Sequence, residues 1–116
     1  IDIDAIIDGH RQWKVKLRDA IETQSTVDTA TLSRDDCCPL GKWVYGTGGQ
    51  HFGHQPSFTA LVERHKTFHK VAGSVGELIN RKQYLEAEQA VAPGTPFATA
   101  TREVVQVLSA AKRIGF

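Results

Sequence analysis

Hydrophobic positions recur at intervals of three and four along most of the chain, which is the rhythm of a helix with one buried stripe. Between Ile3 and Gln24 the stripe runs Ile3, Ile6, Ile7, His10, Trp13, Lys14, Leu17, Ala20 and Ile21, with Val15 as the main apolar residue off it. The clearest helix starts at Pro56 or Ser57. It carries Phe58, Leu61, Val62, His65, Phe68, His69, Ala72, Val75, Gly76 and Ile79. A shorter helix is predicted over Arg81 to Ala92, and Pro93-Gly94-Thr95-Pro96 breaks the chain after it. The last helix presents Phe97, Ala100, Val104, Val107, Leu108 and Ala111. No segment alternates with period two for long, so strands are not expected.

The intervening segments are punctuated differently. Ser25 to Asp36 is rich in Ser, Thr and Asp and reads as a loop. Asp35 and Asp36 then offer N-caps, and Pro39 is tolerated in a first helical turn. A short helix of about two or three turns is therefore expected before Gly46. Gly48 to Pro56 reads as a glycine-rich loop carrying His51 and His54. The predicted fold is all-α: an antiparallel four-helix-type bundle with an additional short helix that carries a cysteine.

A length of 116 residues fits one domain with one core. The 14 basic and 13 acidic residues are spread along the chain, leaving a formal charge of +1. No basic block points to nucleic acid, and no apolar run approaches the roughly 20 residues needed to span a bilayer. The chain begins at Ile1 and contains no Met. A single module, 1–116, cut from something longer, or a processed form, is expected on that ground. Cys37 and Cys38 are adjacent, a spacing that suits free thiols in a reducing cytoplasm better than a disulfide scaffold.

Three imidazoles on inward helix faces need a chemical reason. His65 and His69 lie one turn apart, with about 5–6 Å between their β-carbons, so both could reach one ion. With His10 and a thiol they make a complete tetrahedral shell for zinc. Periodicity alone does not choose between Cys37 and Cys38. A thiol at a helix start has a lowered pKa, a condition both partly meet. Trp13, Trp43 and Phe68 are expected to wall the pocket, while His51 and His54 are ranked as surface residues.

These residues form a pattern: His10-x-x-Trp13, then Cys38-Pro-Leu-Gly41-Lys-Trp43-Val-Tyr-Gly46, then Leu61-x-x-x-His65-x-x-x-His69. It resembles the chemoreceptor zinc-binding domain, CZB. The resemblance implies zinc held by His10, Cys38, His65 and His69 in a small helical bundle that is often a homodimer. It selects Cys38 over Cys37, because Gly41 and Trp43 follow Cys38 at the family's spacing. Cys37 is outside the pattern. The resemblance further implies a covalently linked signalling output, a bacterial chemoreceptor or diguanylate cyclase. It implies a redox-sensing Cys38 that responds to zinc or hypochlorous acid.

Three other readings weigh against it. A zinc hydrolase is disfavoured because Lys66, Thr67 and Phe68 separate the two histidines and the glutamate of His-Glu-x-x-His is missing, so no enzyme is expected. A di-iron bundle needs inward carboxylates that the stripes lack, and haem with His/Cys ligation is conceivable. A purely structural zinc in a dimerisation module uses the same ligands as a sensor.

Overall fold

The computed structural model describes residues 1–116 as an all-helical bundle of 43 × 25 × 20 Å. Helix α1 (Ile3–Thr23) starts where Asp2 accepts the Ala5 N–H and stops at Gln24, whose left-handed backbone ends the ladder. Helix α5 (Pro56–Asn80) is the central rod, with Pro56 in its first turn. Helix α7 (Pro96–Arg113) is capped by the Thr95 hydroxyl, carries Pro96 at its start and places Lys112 and Arg113 against its negative end. Helix α5 packs most extensively against α7, and α1 lies across both.

The core runs through these three helices. Leu17, Leu61, Phe68, Val104 and Leu108 are at most 1% exposed. Burying a side chain of this size contributes about 1.5–3 kcal/mol, so the three stripes supply most of the drive to fold. Val15, off the stripe, is exposed, as its position in the pattern requires. Helix α6 (Tyr84–Ala90) fills the remaining corner with Ala87. It starts three residues later than the pattern predicts, because Arg81–Gln83 form a turn in which Lys82 is left-handed.

Two segments differ from the expected loops. Within 25–36 a single turn, α2 (Thr29–Leu32), forms where the Asp28 carboxylate accepts the Thr31 N–H at 3.2 Å and its hydroxyl at 2.8 Å. It lies close on α5 because Gly73 and Gly76 remove the side chains that would hold it off: a Cβ at Gly73 would collide with Ser33. Helix α3 (Pro39–Trp43) continues into a π-type turn (Val44–Gly48) kinked at Gly46, and then into α4 (Gly49–Phe52). Part of the glycine-rich stretch is therefore helical. It is held by Phe52, which stacks on Phe116 with centroids 4.5 Å apart.

Candidate metal centre

Helix α1 contributes His10, the start of α3 contributes Cys38, and successive turns of α5 contribute His65 and His69. One donor atom from each lies within 4.8 Å of all the others. Cys38 Sγ is 3.2 Å from His65 Nε2 and 3.6 Å from His69 Nε2, and the two Nε2 atoms are 2.9 Å apart. The His10 ring meets His65 edge-on, with centroids 5.1 Å apart. The three histidines are 0–5% exposed, whereas Cys38 is half-buried.

Each ring is oriented from behind. His10 Nδ1–H donates to the Ile6 carbonyl at 2.8 Å and His69 Nδ1–H to the Leu32 carbonyl at 2.9 Å. Those bonds fix the tautomers and leave both Nε2 atoms with a lone pair free for a metal, as is usual for ligating histidines. His65 differs, because its Nδ1 is buried with no partner.

Cys38 is held by local geometry. It caps α3, and the Gly41 N–H points at its sulfur at 3.4 Å. Gly41 is required there, since a Cβ would run into the Asp35 backbone. The approach is steadied by the Tyr45 hydroxyl donating to Asp35, which pushes the phenol up to about 12. Arg34 adds a fork onto Asp36 that is exposed and contributes little to stability.

The electrostatics favour neutral rings. Burial lowers His10 and His69, and it drives His65 down to about 2 with help from the neighbouring imidazoles. The helix start was expected to lower the Cys38 thiol, but its pKa is raised. Desolvation outweighs the backbone N–H groups of Gly41 and Leu40. A divalent ion reverses that balance, because coordination deprotonates a thiol outright.

The donor set fits zinc. Nitrogens at about 2.0–2.1 Å and sulfur at about 2.3 Å from a tetrahedral ion stand roughly 3.3–3.6 Å apart. The two sulfur–nitrogen distances, 3.2 and 3.6 Å, are close to this, and the Nε2 pair, at 2.9 Å, is tighter. The His10 Nε2 atom, buried and without a hydrogen-bond partner, belongs to the same cluster. Converging lone pairs repel one another, and a cation at their centre removes the conflict.

The other expected residues fall in different places. Phe68 packs edge-on against His10 and His69, and Trp13 lies beside His10 and Cys38. The Trp43 ring neighbours are Phe52, Phe58 and Phe116. Cys37 stays outside the cluster, its sulfur 3.5 Å from Asp36, and His51 and His54 are exposed. Periodicity did not reveal the part played by Leu32, whose carbonyl orients His69. The only sequence signal was the Gly73/Gly76 pair that admits α2.

That link is testable. Gly73→Leu should push α2 outward, break the His69–Leu32 bond and weaken zinc binding by about 10–100-fold, the usual effect of losing an outer hydrogen bond to a metal ligand. Competition with a chromogenic chelator measures it; unchanged affinity would show that Leu32 does not orient His69.

A helical bundle with three inward imidazoles and a thiol on one centre is the class of a metal-binding module. The chain belongs to the chemoreceptor zinc-binding domain family, whose model matches residues 10–75. The match takes in all four clustered side chains. No curated protein and no solved structure matches the chain. No helix is long and apolar enough to cross a membrane.

Proposed function

We propose that this domain is a zinc-holding sensory module in which His10, Cys38, His65 and His69 are the ligands and Cys38 is the responsive one. The observation that carries the reading is the convergence of four donors from three separate segments within 4.8 Å. When bound, zinc cross-links those segments and keeps Cys38 as a thiolate. His10 and His69 hold their rings in place through Ile6 and Leu32. His65 meets both Cys38 and His69, and Phe68 closes the apolar side.

Cys38 is the weak point of this shell. Its sulfur takes chlorine from hypochlorous acid with loss of hydroxide; water then displaces chloride and leaves a sulfenic acid, a poorer donor. The sulfur loses two electrons and the chlorine gains them. Because Cys38 caps α3, a change at its sulfur alters the start of that helix and the kinked segment behind it. In this reading the module works in the cytoplasm of a bacterium as a homodimer, joined to a signalling output, and performs no catalysis. The four protein donors complete a tetrahedral shell, and the one turn between His65 and His69 offers no general base.

A chromogenic chelator added before and after hypochlorous acid tests this against a purely structural zinc. Faster or fuller zinc release after oxidation, lost in Cys38→Ser, is expected. Equal release in oxidised and untreated protein would leave only the structural reading.

A further inference from the structure

A groove of about 460 Å³ opens beside the centre, between the first half of α1 and the Cys38–Leu40 segment. Two of the four clustered side chains, His10 and Cys38, form part of its wall. The rest is mostly apolar: Ala5, Ile6, Trp13 and Leu40 among others. Asp2 and Lys16, one charge of each sign, are its charged lining residues, and the Lys16 ammonium lies over the Trp13 ring. Gly9 lines it. A Cβ there would meet nothing within 4 Å, so the absent side chain keeps the groove open where any larger residue would fill it.

We propose that this groove is the path by which small uncharged reagents reach the Cys38 sulfur, and that Gly9 sets its width. The three histidines are only 0–5% exposed, while Cys38 is half-buried and borders this groove. An apolar wall with balanced charges gives an ion nothing in exchange for its hydration, whereas a neutral molecule enters at little cost. The groove therefore selects among thiol reagents by charge and size before any chemistry occurs. A smaller cleft of about 220 Å³, lined by Thr31, Arg34 and Cys37, also touches Cys38. Asp28 and Arg34 give it one charge of each sign as well, and Cys37 lies on it as a competing thiol. It is the rival route, told apart by filling Gly9 and Ala5, which line the first groove alone.

The proposal deepens the reading of Cys38 as the responsive ligand, yet it can be tested on metal-free protein, so the two can fail separately. In a Cys37→Ser background, alkylation by iodoacetamide and iodoacetate is followed by mass spectrometry. In both reactions the Cys38 sulfur displaces iodide from the CH₂ carbon, and the thiol proton goes to solvent. The two reagents are nearly the same size and differ in charge. Rates are referred to the ionised thiol, so a shifted thiol pKa cannot imitate a blocked path.

Iodoacetamide should be preferred over iodoacetate by more than in the same protein unfolded in urea. Gly9→Leu should slow iodoacetamide on the order of tenfold, equivalent to a small added barrier, and Ala5→Leu should slow it in the same direction. Val15→Leu, on the exposed face of α1, should leave the rate unchanged. Gly9→Leu replaces a helix-interior glycine and should fold; circular dichroism and one zinc per chain check this. The groove is not the path if both filled variants react as fast as the parent. It is equally excluded if the charge preference equals that of the unfolded chain, or if a second copy covers this face and the parent itself resists alkylation.

Discussion

His65→Ala should strip the domain of stoichiometric zinc and lower its thermal midpoint, relative to zinc-loaded parent, on the order of 15 °C. His65 is fully buried, its Nε2 3.2 Å from the sulfur and 2.9 Å from the second helical imidazole. Free zinc at about one thousand times the dissociation constant stabilises a folded protein by roughly 4 kcal/mol, and the variant forfeits that. The same substitution should be much milder in metal-free protein, because it also removes one of the crowded lone pairs. The informative quantity is therefore the difference between the loaded and stripped backgrounds, read by calorimetry beside metal analysis. A variant that kept one zinc per chain would remove His65 from the ligand set.

The second large effect concerns acid. In the metal-free protein, burial lowers all three clustered histidines, His65 to about 2. The unfolded chain takes up protons near 6.5 while the folded chain does not, so stability is full above that pH and falls as the solution is acidified. His65 alone removes about 1.4 kcal/mol per pH unit, and His10 and His69 steepen the loss in the same direction. Cys38 has the opposite sign of shift, its folded value raised, so stability also falls as pH rises past about 9. Metal-free protein should be most stable between those limits. Urea unfolding from pH 7.5 down to 4.5 measures the acid limb, and His65→Gln, which cannot titrate, should flatten it. An equally steep limb in that variant would show that other groups dominate.

The long helices were legible because each repeats its apolar positions often enough to define a face, and His10, His65 and His69 lay on those faces. Helix α2 was not, because four residues cannot show a period. It exists through the Asp28 cap and the room left by Gly73 and Gly76. The helical turn at Gly49–Phe52 was hidden for a related reason: its glycines argue for a loop, and only packing of Phe52 on Phe116 and Trp43 holds it. The raised Cys38 thiol shows a third limit. A sequence reveals that a cysteine begins a helix, but the degree of desolvation at its sulfur depends on what α1 and α5 place around it.

The two tryptophans bracket the short helix that Cys38 begins. Trp13 borders the sulfur, and Trp43, at the far end of that helix, sits in an aromatic nest with Phe52, Phe58 and Phe116. The domain thus carries two built-in optical probes, one at each end of one short helix. Emission from a protein keeping only Trp13 reports events at the sulfur, and one keeping only Trp43 reports whether they travel down the helix.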